Sequence, residues 1–468
     1  QAGLRLRFLV TVYIYPASLS TQPGAVASRA PSAMHAVSVL LAASTLQAPA
    51  LALHASDMRS HTETQLEAVR AFSFHDFVEK FNRSYAPGTD EWAHREAVYS
   101  KEKEAVLSFL SGPPASWLMG ITTFADYTTS ERWSMLGRRG RPKARSASTP
   151  SASWRKWTYP QELNALQTGS AWQLSGIVRS QGGCGSCWAM AATAVLEARM
   201  EANATIMGSL RQVLDSEGRT ASDSRLSGDA VTHCTKNPRN CGGTGGCDGA
   251  TAELAFEYVL QKGLTSPDHF VSLKNRVSNP VQDPKGSCPG SLRSESEIAT
   301  RGVVAMDGSE VHLVGTSETE LRGMAIGMRG WTKLPENKEE PIMRSLMIDG
   351  PLYVAVAVGE HWHYYSGGVM TQEGCDTRNV INHAVTLFAW GIKEKTRIGP
   401  VKYWAIKNSW GPSWGEDGNV RLHRRDDEEK QCGWDVRPQE GNGCENGPQK
   451  VWVCGVCGIL YDAVAPHF

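Results

Sequence analysis

Cysteine is absent from the first 183 residues of this 468-residue chain, and all eleven cysteines lie from Cys184 onward. Net charge is also absent, because 48 basic residues balance 48 acidic ones. The composition therefore offers no broad positive field that would attract a nucleic acid or an anionic membrane surface. The apolar run at residues 36–46 is too short to span a bilayer, and no internal repeat is evident. We expect no nucleic-acid partner and no stable membrane association.

The N-terminal region has the features of a targeting segment. The chain begins with Gln1, and residues 1–33 are interpreted as upstream or non-native sequence. The run that follows, MHAVSVLLAASTLQAPALALHA, has a short start, an apolar stretch and small residues suited to cleavage. Residues 34–52 are therefore predicted to be a secretory signal peptide, with a membrane anchor or a plain buried helix as the alternatives. We expect a secretory-pathway protein, located in a lysosome or vacuole or outside the cell.

Residues 60–127 are charged, free of cysteine and patterned as helices. Phe74, Phe77 and Phe81 recur at spacings of three and four, which is one stripe of an amphipathic helix. A second helical run extends from Glu91 to about Leu110. Residues 128–153 are predicted to be a basic, exposed processing linker, because the stretch RRGRPKAR contains no acid and is followed by Ser, Pro and Ala.

From residue 154 the composition changes to that of a disulfide-bearing domain. A helix is predicted to open at Cys187, and another is predicted in GATAELAFEYVLQKG, where Gly263 provides the stop. The later segments PLYVAVAVG, HAVTLFAWG and VKYWAIKNSWG are β-rich and punctuated by glycine. Helices followed by strands favour an α+β fold with two subdomains.

Three residues suggest nucleophilic catalysis. A cysteine attacks a carbonyl as its thiolate, and a helix N-terminus at Cys187 would stabilise that anion. His383 enters a predicted buried strand and is a candidate base, and Asn408 could orient its second ring nitrogen. If His383 stood alone, a satisfied core histidine would be the better interpretation.

The motifs CGSCW, NHAV and NSWG occur in this order, and together they resemble the papain family of cysteine proteases, specifically a cathepsin L-like precursor. The resemblance covers about residues 154–465. It implies a peptidase domain at residues 154–468, with a helical left subdomain, a β-barrel-like right subdomain and an active-site cleft between them. It also implies that residues 60–127 form a helical, inhibitory propeptide.

The resemblance assigns roles to five residues. Cys187 is the nucleophile, and His383 is its general base and later the acid for the leaving amine. Asn408 orients His383, and Trp410 shields the hydrogen bond between them. The side chain of Gln181 and the backbone N–H of Cys187 form the oxyanion hole.

The resemblance also implies an extended substrate that pairs with backbone near Gly249. Ala250 stands where the family usually has a second glycine, and its methyl group could narrow the cleft. Asp462 matches the floor of the main specificity pocket, where an acid could accept a basic side chain. The alternative is that Asp462 points to solvent and the pocket accepts Leu or Phe.

The leading region resembles the inhibitory pro-segment of the same family, although only in part. Such a segment runs through the cleft in reverse and blocks it until the linker is cleaved. An unrelated helical domain is the alternative. The matching positions are Glu91, Arg95, Tyr99, Gly120, Phe124 and Asp126, and the departures are Glu102, Leu110 and Thr122.

By resemblance, Cys184 pairs with Cys247 and Cys234 pairs with Cys288. The other cysteines apart from Cys187 could form three more bridges, which would explain the odd count. Their connectivity cannot be deduced from the sequence, because six cysteines allow fifteen pairings. They are Cys241, Cys375, Cys432, Cys444, Cys454 and Cys457.

Two rival interpretations concern these cysteines. Cys454 and Cys457 resemble a redox pair, but the βαβ context of such pairs is missing. Cys241, Cys247 and His233 could form a zinc site. Disulfides are the better interpretation of both groups, and we expect neither a metal nor a cofactor.

The interval between Cys187 and His383 exceeds the roughly 130–150 residues typical of papain-like enzymes. Apparent insertions near 215–225 and 291–323 account for the surplus, and a further insertion at 424–449 follows Asn408. No inserted loop with paired histidines is apparent to cap the cleft, since HWHYY lies in the region predicted as strands.

The sequence therefore predicts a cysteine endopeptidase that hydrolyses peptide bonds through a thioester and is made as a zymogen. Its expected partners are protein or peptide substrates and its own propeptide, and a monomer is expected. Two alternatives are a non-catalytic papain-like binding or storage protein, and a chain that acts mainly as a protease inhibitor through its pro-segment.

Overall fold

The computed structural model leaves the predicted signal peptide, the linker from residue 137 onward and Cys288 outside the described residues. Within the described residues, no helix has both the length and the apolar character needed to cross a bilayer. The described residues are 63–136, 158–166, 174–216, 225–263, 300–304, 310–314, 327–441 and 443–468.

The pro-segment forms helices that begin at side-chain caps. The hydroxyl of Ser73 accepts a hydrogen bond from the backbone N–H of Asp76, and the carboxylate of Asp76 accepts one from the backbone N–H of Ser73. This capping box starts the second helix. Phe74, Phe77 and Tyr99 pack as the core of this region, as the aromatic stripe predicts. The elements are α1 (63–71), α2 (Phe74–Lys80), α3 (Asp90–Ser111), β1 (Trp117–Met119) and α4 (Thr129–Ser134).

The predicted start of the exposed linker at residue 128 is wrong. Thr128 caps α4 through a capping box with Glu131, and Glu131 forms two hydrogen bonds of 2.7 Å with Arg95 on α3. Met135 and Leu136 are buried behind this helix. The folded pro-segment therefore continues to residue 136.

One lobe of the main domain is helical. Its central helix α5 buries nearly every residue of its length. Most are Ala, Leu, Val and Met, and the buried carboxylate of Glu197 pairs with Arg179 at 2.6 Å. The last helix ends at Gly263, whose φ of +70° favours glycine, as predicted. The helices are α5 (Cys187–Ala202), α6 (Ala204–Ser216), α7 (Gly228–Cys234) and α8 (Ala252–Lys262).

The other lobe is built on a mostly antiparallel sheet in the order β1-β7-β10-β9-β8-β6-β13-β5, with β2 paired to β8. The three β-rich segments form β6, β8 and β9, and the predicted α+β architecture is confirmed. Helix α9 (Glu339–Asp349) packs against this lobe. The strands are β2 (Leu163–Asn164), β3 (Thr300–Val304), β4 (Glu310–Val314), β5 (Gly330–Lys333), β6 (Leu352–Val356), β7 (Tyr365–Met370), β8 (His383–Lys393), β9 (Val401–Lys407), β10 (Asn419–His423), β11 (Cys432–Asp435), β12 (Val451–Cys454) and β13 (Asp462–His467).

The placement of HWHYY in the strand region needs correction. Residues Glu360–Tyr364 form a 3₁₀ turn, and β7 begins only at Tyr365. The side chains of Trp362, His363 and Tyr364 in this turn are all buried, as they would be in a strand of the sheet. The pro-segment strand β1 pairs with β7 directly after this turn.

The disulfides exclude both rival uses of the cysteines. Cys247 is bonded to Cys184, as the family resemblance implies, and is therefore unable to bind zinc. No group of three or more His, Cys, Asp or Glu side chains in the described part of the chain is arranged to hold a metal. Cys234 is disulfide-bonded, while its expected partner lies outside the described residues. The other described bridges, Cys375–Cys457 and Cys432–Cys454, leave no redox pair in CGVC.

Phe77 is fully buried in the aromatic core of the pro-segment. We expect Phe77→Ala to destabilise the pro-segment by about 3–5 kcal/mol, the usual cost of removing a buried aromatic ring. Thermal unfolding of the full chain would show an earlier transition. Glu79→Ala, at an exposed position of the same helix, is the matched control and should leave that transition in place. Equal shifts in both variants would contradict the assigned core.

Candidate active site

Cys187 is the first residue of α5 and is fully buried. Helix α5 packs against β8, where the hydroxyl of Thr386 donates a 3.3 Å hydrogen bond to the carbonyl of Ala191. Cys187 and Ala384 belong to the same apolar cluster. The positive end of the α5 dipole lies at the sulfur, and this arrangement favours a thiolate.

His383 and Asn408 are brought together by strand pairing. His383 begins β8, Asn408 follows the last residue of β9, and the two strands are antiparallel neighbours. Nε2 of His383 lies 2.8 Å from Oδ1 of Asn408, and both residues are buried. The backbone N–H of Ser409 also donates to this Oδ1 at 2.8 Å, which fixes the orientation of the amide. Nε2 must therefore carry the proton, and Nδ1, which makes no hydrogen bond among the described residues, is the basic nitrogen.

Trp410 covers the hydrogen bond between His383 and Asn408. Its ring centroid lies 5.1 Å from that of His383, and the side chain is only 2% exposed. Trp410 also stacks on the ring of His363, with the centroids 4.8 Å apart, and meets the ring of Trp414 edge-on at a centroid distance of 5.0 Å. The enclosure excludes water, so the hydrogen bond acts in a low-dielectric environment.

The side-chain amide of Gln181 is held in a fixed orientation. Its Oε1 accepts a 2.6 Å hydrogen bond from the hydroxyl of Ser409, and its backbone N–H donates to the carbonyl of Ser409 at 2.8 Å. The other end of the amide, Nε2, donates hydrogen bonds to the carbonyl of Cys184 at 2.8 Å and to the carbonyl of Met135 at 2.7 Å. Sequence reasoning missed Ser409, although its place directly after Asn408 in NSWG was a usable signal.

Met135 belongs to the pro-segment, so the pro-segment occupies the position to which Gln181 donates. Phe124 reinforces this placement, because its ring meets Trp410 edge-on at 5.3 Å and His363 at 5.7 Å. A backbone carbonyl of the pro-segment therefore contacts the amide of Gln181, and an aromatic ring of the pro-segment contacts Trp410.

The predicted substrate wall lies in the loop that precedes α8. Gly249 has a φ of +94°, and its carbonyl accepts a 2.8 Å hydrogen bond from the N–H of Gly245. Ala250 is fully buried and packs in the apolar cluster of the helical lobe. The methyl group that was expected to narrow the cleft is thus part of the core.

Asp462 does not point to solvent, because it is only 1% exposed. Its carboxylate lies 3.5 Å from the ammonium group of Lys333 on the neighbouring strand β5. Burial by itself lowers the pKa of Lys333, but the negative charges of Asp462, Glu253 and Glu336 together outweigh it, so the pKa is raised and the lysine stays charged. The acid at this position already has a cationic partner.

Comparison with known proteins agrees with this geometry. The profile described as "Papain family cysteine protease" matches residues 160–439, which is more than half of the chain. The chain belongs to this family. The predicted family is therefore confirmed, and so is the papain-like fold.

Among curated relatives, germination-specific cysteine protease 1 from Arabidopsis thaliana is 26% identical over 317 residues, which cover 66% of this chain and 66% of the relative. The chain thus spans just under two thirds of that relative's length. Mouse procathepsin L is 24% identical over 367 residues, covering 77% of this chain and 88% of the relative. The solved structure of a recombinant stem bromelain precursor shares the fold with a TM-score of 0.52, at 24% identity and coverage of 84% of this chain and 97% of that one.

Ser409 is expected to matter because it holds the Gln181 amide. We expect Ser409→Ala to lower kcat for peptide cleavage by about 2- to 12-fold, corresponding to the net worth of one hydrogen bond. KM should change little, because the amide of Gln181 is expected to interact with the transition state more than with bound substrate. Ser409→Thr keeps the hydroxyl and should restore kcat. Equal losses in both variants would point to packing rather than positioning.

Proposed function

We propose that the chain is the zymogen of a cysteine endopeptidase. The observation that carries this proposal is the hydrogen bond between His383 and Asn408, which leaves Nδ1 basic beside the helix that begins at Cys187. A non-catalytic binding or storage protein would have no need of a buried, water-shielded imidazole whose tautomer is fixed. The pro-segment contacts favour a latent enzyme over a chain that serves mainly as an inhibitor.

The proposed reaction is acyl transfer. Nδ1 of His383 takes the thiol proton of Cys187, and the sulfur attacks the carbonyl carbon of the scissile bond. The imidazolium, held by Asn408, then protonates the leaving amine as the C–N bond breaks, and a thioester remains on Cys187. Water attacks the thioester with His383 again as the base, which releases the acid and restores the thiol.

The oxygen that becomes negative in this reaction needs donors. We assign Nε2 of Gln181 and the backbone N–H of Cys187 to this task. In the zymogen Nε2 already donates to a carbonyl oxygen, that of Met135, which supports the assignment. The loss of one such donor costs about 10²–10³ in kcat in comparable enzymes.

The pro-segment is proposed to inhibit by occupying the cleft. Its strand β1 pairs with β7, the N–H of Gly120 donates to the carbonyl of Tyr364 at 2.8 Å, and Phe124 packs on Trp410. A buried cluster strengthens the attachment. Arg132 donates to Glu102 and to the hydroxyl of Tyr364, each at 2.8 Å, and the same hydroxyl contacts Glu102.

This cluster accounts for a departure from the family pattern. Glu102 stands where asparagine is usual, and in this chain it supplies the carboxylate that pairs with Arg132. Because both side chains are buried, removal of either one would leave the other charged and unpaired, which is strongly destabilising.

The specificity pocket is proposed to accept an apolar side chain at the second residue before the cut. Lys333, which also pairs with Glu336 at 3.2 Å, lies 3.5 Å from Asp462 in the place that a basic substrate side chain would need. The supporting geometry is that of the zymogen, in which Asp462 and Lys333 pair inside the protein.

We also propose a monomeric secretory-pathway protein that ends in a lysosome or vacuole or outside the cell. The disulfides support this location because they form and persist in oxidising compartments.

Activation of the zymogen with acid and a thiol reductant tests the function. We expect cleavage of peptides with leucine two residues before the cut, weaker cleavage of the arginine counterparts, and labelling of Cys187 by a thiol-reactive epoxide. Cys187→Ser should abolish both cleavage and labelling, and thermal unfolding of the zymogen confirms that the variant folds. Unchanged cleavage by Cys187→Ser would exclude the proposed mechanism.

His363 provides a basis for acid activation. It is buried beneath Phe124, its Nδ1 faces the carbonyl of Glu360 at 3.2 Å, and the basic side chains near it are Arg132 and His383. Burial first, and then the neighbouring Arg132, lowers the pKa of His363 to about 3. Once exposed, a histidine has a pKa of about 6.5.

The two pKa values of His363, in the zymogen and after release, determine whether acid favours release of the pro-segment. Between pH of about 6.5 and about 3, the released form binds a proton that the zymogen does not bind, so acid favours release of the pro-segment. The Arg95–Glu131 pair acts differently. Its hydrogen bonds lower the pKa of Glu131 to about 2, so its contribution is lost only as the pH falls through that value.

We therefore expect His363→Gln to shift zymogen activation to lower pH and to flatten its pH dependence. The pH at which half of the zymogen has converted to active enzyme is the measurement. His94→Gln, at an exposed position on α3, is the control and should leave this pH unchanged. The pH profile of the processed enzyme, recorded separately, distinguishes release from catalysis. An unchanged activation midpoint in His363→Gln would exclude this basis.

A further inference from the structure

Two cysteines that the described disulfides do not use lie against each other. The sulfur atoms of Cys241 and Cys444 are 2.8 Å apart, and each residue is only 1% exposed. Cys241 begins the loop that leads to Gly249, whereas Cys444 lies in the insertion that follows Asn408. The two residues are 203 positions apart in sequence, so this proximity is created entirely by the fold.

The backbone holds both cysteines in place independently of their sulfurs. Cys241 and Cys444 form an antiparallel bridge, and the N–H of Gly242 donates to the carbonyl of Gly443 at 3.2 Å. The side-chain amide of Asn240 adds a 2.9 Å hydrogen bond to the carboxylate of Glu445. Residues opposite each other in antiparallel pairs have Cα atoms about 4.5–5.5 Å apart, within the range that a disulfide spans.

We propose that Cys241 and Cys444 form a disulfide in the secreted protein. The two thiols give up two protons and two electrons to a small-molecule disulfide such as oxidised glutathione, which is reduced to two thiols as the S–S bond forms. Burial raises the pKa of the Cys241 thiol, so the folded pair would react slowly. The bond therefore forms during folding, before both sulfurs are enclosed.

The insertion is anchored at its other side to the sheet lobe. We call residues 432–454 the strap. The carboxylate of Asp435 in the strap accepts a 3.4 Å hydrogen bond from the N–H of Ile381, two residues before His383. Val451 and Val453 pack in one buried cluster with Ile381. The Cys432–Cys454 bridge closes the strap on itself.

The proposed disulfide would thus join the helical lobe to the sheet lobe. On one side it holds the loop that carries Gly249, which belongs to the helical lobe through Cys184–Cys247. On the other side the strap is bound to the segment that enters β8 at His383. A covalent tie between the lobes would fix the width of the cleft beside Gly249.

This consequence rests on the proposed function, in which Gly249 binds the part of the substrate before the cut. The fixed cleft width would then limit how well a long substrate is accommodated on that side. Peptides with few residues before the cut should be accepted readily, and longer ones should be disfavoured.

Thiol counting tests the disulfide without any reference to activity. The Cys187→Ser zymogen is denatured without reductant, alkylated, digested and analysed by mass spectrometry. We expect no alkylation of Cys241 or Cys444 and one cross-linked peptide that contains both. Alkylation of both cysteines, or a cross-link of either to another cysteine, would overturn the proposal. This test needs no folding of a strap variant.

A second measurement tests the strap's effect on the cleft. We expect Cys241→Ser/Cys444→Ser to raise kcat/KM several-fold for peptides extended before the cut and to leave short peptides unaffected. Cys432→Ser/Cys454→Ser, which opens the strap but keeps the tie between lobes, is the matched control and should preserve the wild-type ratio. Equal ratios in all three proteins would overturn the limit on substrate length. Absence of activity in the wild type would overturn the proposed function and leave the thiol result standing.

Discussion

The packing of one buried helix against one buried strand is the constraint on which this site depends. Helix α5 carries Cys187 at its first residue, and strand β8 carries His383 at its first residue. Both elements are buried, and the hydrogen bond from Thr386 to Ala191 joins them, so they have little freedom to shift. Register with β9 then places Asn408 beside His383. The side chains of Cys187, His383 and Asn408 are therefore held at the ends of secondary-structure elements rather than in a flexible loop.

The turn after β9 serves several groups at once. Asn408, Ser409 and Trp410 are consecutive. Asn408 orients the imidazole, Ser409 holds the amide of Gln181, and Trp410 covers the imidazole from water. Such sharing explains why a short motif can be so specific. Each residue in it has a separate partner, and a change in any one of them disturbs a different part of the site.

Much of this architecture could be predicted from the sequence. Local patterns predict the strands β6, β8 and β9 and the helix that begins at Cys187. They also predict helix α8 and its C-terminal cap at Gly263. The grouping of Cys187 with His383 needed the family resemblance, because no periodicity links residues so distant. Local sequence patterns predict an element correctly where burial of that element determines which of its residues are apolar.

The rest depended on contacts between distant residues. Glu102 looked like a departure from the pro-segment pattern until Arg132 and Tyr364 were found beside it. Asp462 could not be assigned a direction without its partner Lys333. The end of the pro-segment was misplaced because α4 is short and polar, and its stability comes from Arg95 on another helix. Composition alone cannot distinguish such a helix from a linker.

The pairing of β1 with β7 has a consequence for the processed enzyme. In the zymogen, a pro-segment strand forms the outer edge of the sheet and satisfies the backbone groups of β7. When the pro-segment departs, those N–H and C=O groups become an open edge, which invites other extended chains. Release thus changes the surface in two places, the cleft and the sheet margin.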